Sequence, residues 1–143
     1  MPTVSIFNRQ AAHCLDVQTL ESLAASALPI CFSHQGPGEA PLAFLQEIEV
    51  SLVDDQTIAA LHRQFLDDPS PTDVITFQHG EIIISVEAAA REAAARGEPL
   101  LREVALYLIH GLLHLNGHSD AAENSSQRMQ TAQQTILNAV APG

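Results

Sequence analysis

The sequence predicts an α+β fold of the α/β type, in which a four-stranded mixed sheet packs with about five helices. Three observations lead to this prediction. The 143 residues, 46% of them hydrophobic, suit a single domain that spans residues 1–143. Segments with the periodicity of a strand alternate with segments of helical periodicity along most of the chain. Residues 82–84 are three consecutive isoleucines, which is typical of a strand with both faces covered.

The first half of the chain predicts two strand-helix units. Residues 3–7 alternate as a short strand does, and the next helix is expected to begin after Asp16 and to end before Pro29. A second strand is expected between Phe44 and Val53. Asp55 then stands where it can cap the helix that follows.

The second half predicts a β-hairpin and then three helices. The two β-branched runs of the hairpin are residues 74–77 and 81–86. An alanine-rich helix follows and ends at Gly97, where a glycine stops it. A longer helix with a broad apolar face, expected to be buried, ends at Gly117, and a last helix spans about residues 122–140.

Acidic residues dominate the charge of the chain. Six arginines and no lysine face 17 aspartates and glutamates, for a formal net charge of -11. Such a surface repels nucleic-acid phosphates, so we expect no DNA partner and little attraction for free RNA. A bound divalent ion would be the exception, because it can be the largest local charge of a site.

Neither a membrane span nor a secretory signal is predicted. The longest apolar stretch, residues 104–115, is too short to cross a bilayer, and the first ten residues lack a charged region and a cleavage site. We therefore expect a cytoplasmic protein with no membrane partner. In that reducing compartment, Cys14 and Cys31 are expected to be packed thiols.

A metal site is predicted on the buried helix. His110 and His114 are four residues apart, so they project from one face of that helix. Gly117 permits a sharp turn after the helix, and Asp120 can then supply a third ligand. Three protein ligands with an open fourth position are typical of a catalytic zinc site. We therefore expect one Zn²⁺ ion, or another divalent metal, bound by His110, His114 and Asp120.

Two other interpretations of the histidine pair have less support. The two side chains could be ordinary histidines of a helix, but the segment is otherwise mostly leucine and isoleucine, where an imidazole without a partner is costly to bury. A helical zinc protease with this spacing carries a glutamate directly after the first histidine, as its general base. Gly111 occupies that position, which disfavours a metallopeptidase.

Several blocks of the chain resemble one family. Residues 110–117 read HGLLHLNG, which resembles the H-G-x-L-H-L-x-G signature of the YbeY family. Upstream, PTDVITF at residues 71–77 is similar to the family's P-T-D-V-L-S-F block, and GEIIIS at residues 80–85 is similar to G-D-I-V-I-S. Residues 8–10, near the start of the chain, match as well. Ordered blocks along the chain are far more specific than one histidine motif.

The resemblance implies a function and partners. The YbeY family consists of metal-dependent endoribonucleases that are described as rRNA maturation factors. For this chain, the resemblance implies a single-strand-specific, zinc-dependent endoribonuclease, which hydrolyses phosphodiester bonds. Its expected roles are 16S rRNA 3′-end processing and ribosome quality control. The expected partners are rRNA precursor and the small ribosomal subunit, together with ribosomal or ribosome-associated proteins, all in the cytoplasm.

The chain departs from the family pattern at two places. The family usually has a histidine as third ligand and a tyrosine directly after the glycine, whereas this chain has Asp120 and His118. The family also often has an arginine, thought to contact the substrate phosphate, at the position of Leu66. Arg63 lies three residues earlier and is the candidate to replace it. Arg63 and His118 are therefore the candidate catalytic residues, and no general base is identified.

One further hypothesis of a different class remains open. The net charge of -11 and the missing arginine also fit a ribosome-associated binding factor whose metal is mainly structural.

The assignment of Asp120 as the third ligand makes a prediction of its own, because Gly117 should end the helix and turn His118 away. Zinc affinity should then depend on Asp120 and not on His118.

Overall fold

A four-stranded mixed sheet lies at the centre of the fold, as the sequence predicts. The computed structural model describes residues 1–66, 72–119 and 123–141. Within these ranges the chain forms a single domain of four strands and five α-helices. The elements are β1 (Thr3–Asn8), α1 (Val17–Phe32), a 3₁₀ turn (Pro41–Phe44), β2 (Glu47–Val53), α2 (Asp55–Leu66), β3 (Val74–Phe77), β4 (Glu81–Ser85), α3 (Val86–Arg96), α4 (Leu100–Leu115) and α5 (Glu123–Val140).

The strand order is β1-β2-β4-β3. β1 pairs with β2, and β2 with β4, in parallel, whereas β3 and β4 form the predicted antiparallel hairpin. The hairpin therefore makes β3 an edge strand and places β4 inside the sheet. Ile82 and Ile84 of β4 belong to the main core with α1, α4 and α5, and Ile83 packs on the other face with Ile58 of α2. Both faces of β4 are covered, as its three isoleucines predict.

The first helix does not end before Pro29, contrary to the prediction. α1 begins after Asp16, whose side chain accepts a hydrogen bond from the backbone N–H of Thr19 at 3.2 Å, and it continues to Phe32 with Pro29 inside it. Proline removes the helical hydrogen bond to the residue four positions earlier and its ring crowds that carbonyl, but both Pro29 and that residue are exposed, so water can hydrate the carbonyl. The buried Cys31 continues the apolar face beyond the proline.

Two details around β2 also differ from the prediction. β2 begins at Glu47, because Phe44 belongs to the preceding 3₁₀ turn and is 88% exposed. The cap of α2 is Asp54 and not Asp55, since Asp54 Oδ1 accepts a hydrogen bond from the backbone N–H of Thr57 at 2.8 Å. The helix thus begins one residue earlier than a cap at Asp55 would allow.

Asp55 instead joins three elements of the fold. Its carboxylate accepts hydrogen bonds from Ser85 Oγ and from Arg91 Nη1, both at 2.6 Å. Its own backbone N–H donates to Glu87 Oε1 at 2.8 Å. The hydrogen bonds from Arg91 and then from Ser85 lower the pKa of Asp55 below its ordinary value.

The lowered pKa of Asp55 predicts sensitivity to acid. A carboxylate with a depressed pKa in the folded state stabilises the fold above its unfolded pKa, about 3.9, and that contribution is lost as the pH falls through the folded pKa. Between about pH 5 and pH 3, the free energy of unfolding of the wild type should therefore fall more steeply than that of Asp55→Asn. Urea unfolding of both proteins across this range measures it. Parallel pH dependences would show that Asp55 contributes nothing.

Helix ends in the second half follow the sequence. α3 ends at Gly97, which adopts a left-handed conformation with φ of 65°, and Pro99 caps α4.

No helix in the described part of the chain is long and apolar enough to cross a membrane. Cys31 is buried, and burial raises the pKa of its thiol to about 12, whereas Cys14 is exposed and is not a packed thiol, contrary to the prediction.

Candidate functional site

His110 and His114 lie on α4 and open into one cleft. Both side chains are half-buried. The cleft has a volume of about 310 Å³, and we call it the histidine cleft. Its described lining residues are Leu66 at the end of α2, Val74, Ile75 and Thr76 of β3, and His110 and His114. The predicted pair of imidazoles therefore faces the edge strand of the sheet and not the core.

A glutamine of α5 orients His110. His110 Nδ1 lies 2.5 Å from Gln133 Oε1, and because a carbonyl oxygen only accepts, Nδ1 is the donor. The neutral tautomer then carries its lone pair on Nε2, which is the nitrogen that binds a metal in such an arrangement. Metal-binding histidines commonly donate their other ring N–H to a fixed oxygen in this way. No sequence pattern pointed to Gln133, because it lies on a separate helix.

A second opening adjoins the histidine cleft on the other side of His110. It has a volume of about 320 Å³ and includes Asp73, Tyr107 and Gln133 in its lining, so we call it the Asp73 pocket. Burial, and then the negative charges of Asp73 and Glu103, raise the pKa of Tyr107 above its ordinary value. Tyr107 is therefore a protonated hydroxyl at neutral pH. Asp73 is the one carboxylate among the described residues that line these two openings.

Close packing against the sheet fixes the distance between α4 and β4. Gly111 lies against β4, where a Cβ atom would come within 2.8 Å of Ile82 Cδ1. A larger residue at position 111 would thus enter the core between α4 and β4. A glutamate at this position would point toward Ile82 and not into the histidine cleft, which is a further argument against a metallopeptidase.

The end of α4 turns His118 away from the histidine cleft. The backbone N–H of His118 donates to Leu113 O at 3.0 Å and that of Gly117 to His114 O at 3.2 Å, which is the pattern of a Schellman motif. Gly117 has φ of 95°, a conformation that favours glycine. His118 is 5% exposed, and its Nε2 donates to His34 O at 2.5 Å. Its ring lines a different cavity from His110 and His114.

A glycine-rich loop locks this turn. Gly36 N–H donates to Asn116 O at 3.0 Å, and Gly38 N–H donates to Gly117 O at 2.9 Å. The side chain of Asn116 is buried and donates to Cys31 O at 2.7 Å. A Cβ atom on Gly36 would overlap the carbonyl of Gly117, so the two backbones cross in contact. The loop after α1 therefore holds the segment that follows His114.

The remaining predicted site residues have different outcomes. Asp120, the third predicted ligand, lies outside the described residues. Within those residues, no group of three or more histidine, cysteine, aspartate or glutamate side chains is gathered as a metal cluster. Arg63 is exposed in the last turn of α2, whereas Leu66 lines the histidine cleft and Arg63 does not.

Comparisons with known proteins find relatives of one family. The family model described as Endoribonuclease YbeY matches residues 5–141. A protein of Pelotomaculum thermopropionicum named Endoribonuclease YbeY is 33% identical, over 94% of both chains. Another of that name, from Carboxydothermus hydrogenoformans, is 30% identical over 86% of this chain and 87% of its own.

A solved structure supports the same fold. The solution structure of TM1509 from Thermotoga maritima superposes with a TM-score of 0.64 at 24% identity, and it covers 96% of this chain and 88% of its own. The match of the family model over nearly the whole chain, together with the two bacterial relatives, decides the family. This chain belongs to the YbeY endoribonuclease family.

Proposed function

We propose that this chain is a zinc-dependent, single-strand-specific endoribonuclease that processes rRNA precursors, including the 3′ end of 16S rRNA. The observation that carries the proposal is the pair His110 and His114, which open together into the histidine cleft of a YbeY-family nuclease fold. The site of action is the cytoplasm, where the small ribosomal subunit and its associated proteins are the partners, and ribosome quality control is part of the same role.

The donors in the histidine cleft fit a zinc ion. Two imidazoles one helical turn apart present nitrogen ligands from one rigid element, and Gln133 fixes the tautomer of His110. Asp120 is the third ligand that the sequence predicts. A bound zinc ion, or another divalent metal, would supply positive charge at the scissile phosphate and a more acidic water.

The residues around the ligands have separate tasks. Gln133 holds the His110 ring in place through the hydrogen bond to Nδ1. Asp73, on the rim of the adjoining pocket, is the carboxylate that can accept a proton during hydrolysis. Arg63 does not line the histidine cleft, so it can contact only a phosphate of an RNA strand that extends outside the cleft. Leu66 supplies no charge at the cleft itself.

A cleavage assay tests the proposed function. Purified protein is incubated with an rRNA precursor, with and without a chelator, and the products are mapped. We expect cleavage in single-stranded regions that stops with chelator and returns when zinc is added. Cleavage that continues in chelator would refute the metal dependence, and a protein loaded with zinc that leaves the precursor intact would refute the nuclease.

Gln133 provides a prediction for the same site. Gln133→Leu should lower zinc affinity by about 10–100-fold, because it removes the partner that orients His110. Gln133→Glu keeps an acceptor oxygen and should retain most of the affinity. Calorimetric zinc titration of both variants measures the difference. Equal affinities for Gln133→Leu and wild type would show that the hydrogen bond has no part in metal binding.

The net charge of -11, with Leu66 in the cleft, favours a second candidate. In this alternative, the protein is a ribosome-associated binding factor whose metal is mainly structural. Depletion of the protein and rescue by variants separates the two. If folded His114→Ala restores 16S rRNA 3′-end processing in a depleted strain, the binding role is correct. If it fails where wild type succeeds, the nuclease is correct.

A further inference from the structure

A cavity beyond the end of α4 differs in charge from the rest of the chain. It has a volume of about 410 Å³ and lies between α5 and the segments that carry His34 and His118. Among the described residues that line it, Arg128 is the one arginine and there is no carboxylate. We call it the Arg128 cavity. In a chain with a formal net charge of -11, a lining of this kind is a local exception.

Arg128 differs from most arginines of the chain. Four of the six, namely Arg9, Arg91, Arg96 and Arg102, form ion pairs with aspartate or glutamate. Arg128 forms none with any residue that the structure describes, and its side chain is exposed in the cavity. A guanidinium without a carboxylate partner can form paired hydrogen bonds with the oxygens of a phosphate.

The neighbouring groups of the cavity suit a nucleotide. Asn124 and Gln127 contribute amides, which offer both donors and acceptors to the edge of a base. Thr131 Oγ1 donates to Gln127 O at 3.0 Å, so its lone pairs remain to accept a hydrogen bond, as from a ribose 2′-hydroxyl. His34 and His118 are held by hydrogen bonds to the backbone and form a fixed wall.

Two elements of the fold contribute residues both to the Arg128 cavity and to the surroundings of His110 and His114. α5 places Gln133 beside His110 and Arg128 in the cavity. The Schellman turn after His114 leads directly to His118, which lines the cavity. We therefore infer that a strand of RNA bound in the histidine cleft can extend along α5 to the cavity.

We propose that the Arg128 cavity is a ribonucleotide subsite, in which Arg128 binds a backbone phosphate that flanks the scissile one. The inference rests on the proposed nuclease function and names where unpaired RNA is held. It also supplies a positive charge for a phosphate, which Leu66 does not supply in the histidine cleft. The ligand is an unpaired RNA strand and not a duplex, since the base edges must be accessible to the amides.

Binding of a cleavage-resistant RNA tests the subsite. The probe is a fluorescent single-stranded RNA of roughly 12 nucleotides with phosphorothioate linkages, and anisotropy is measured with the zinc-loaded protein over a series of salt concentrations. Arg128→Ala should weaken binding about tenfold and reduce the salt slope by about 0.7, the value for one phosphate contact to a single strand. Arg128→Lys should keep the slope.

Arg9→Ala is the matched control. It makes the same change in charge at an exposed arginine, which follows β1 directly and pairs with Glu49 of β2 at 3.3 Å. It should bind the RNA as wild type does. Thermal melting of each variant shows that the fold is intact. In cleavage of rRNA precursor by the same preparations, Arg128→Ala should raise KM about tenfold with little change in kcat.

The outcomes separate the subsite from the nuclease. If wild type cleaves RNA and Arg128→Ala binds the probe with unchanged affinity and salt slope, the subsite is wrong and the proposed function stands. If Arg128→Ala loses affinity while wild type leaves the precursor intact, the subsite stands and the nuclease is wrong. If wild type does not bind the probe, or Arg9→Ala weakens binding equally, the subsite is overturned.

Discussion

Replacing His114 with alanine is expected to abolish high-affinity zinc binding and to slow RNA cleavage by at least about a hundredfold, since a catalytic metal contributes several kcal/mol of charge stabilisation. The physical reason is that His114 is one of the two imidazoles among the described residues of the histidine cleft. Its loss leaves His110 as the single imidazole there. Calorimetric zinc titration and initial rates of precursor cleavage measure the two effects.

His118 and Asp120 provide the controls for this experiment. His118 is the same type of residue in the next turn of the chain, but its ring binds His34 O and lines the Arg128 cavity. His118→Ala should therefore leave bound zinc nearly unchanged. Asp120→Ala should sharply lower zinc affinity, and Asp120→His should retain it. Loss of zinc in His118→Ala, with retention in His114→Ala or Asp120→Ala, would show that the ligand assignment is wrong.

Local patterns were sufficient to predict most of the fold. The three isoleucines of β4 predicted an interior strand, and the breaker at Gly97 predicted the end of α3, because burial and backbone conformation at these places depend on neighbouring residues in the sequence. Pro29 misled the prediction of α1, because it lies on an exposed face of the helix while the buried face continues beyond it to Cys31.

The candidate site could be predicted only where its residues share one element. The spacing of His110 and His114 follows from the helix that carries both. Gln133 and Asp73 come from α5 and from the segment before β3, and tertiary packing alone brings them to His110. The same holds for the Arg128 cavity, whose wall combines α5 with the loop after α1. A single sequence carries no local signal for contacts between residues that are distant along the chain.

Gly36, where the loop after α1 crosses the backbone of Gly117, is the position at which we expect a single added methyl group to lower stability most. A Cβ atom at this position would overlap the carbonyl of Gly117, and the neighbouring atoms are backbone, which cannot move aside as a side chain does. Gly36→Ala should therefore lower the free energy of unfolding by about 3 kcal/mol and the melting temperature by roughly 10 °C. Urea unfolding and calorimetric melting measure these changes.

Gly97→Ala is the matched control for the crossing. Gly97 has φ of 65°, but an added Cβ atom would meet nothing within 4 Å. The cost there is only that of the left-handed conformation, about 1 kcal/mol.

The two variants should also differ in metal binding. Gly36→Ala displaces the loop that holds Asn116 and Gly117 and so disturbs the chain directly after His114, whereas Gly97 lies at the opposite end of α4. We therefore expect weaker zinc binding in folded Gly36→Ala and unchanged binding in Gly97→Ala. Equal stability losses in the two variants would show that the loop yields to the methyl group and does not lock the turn.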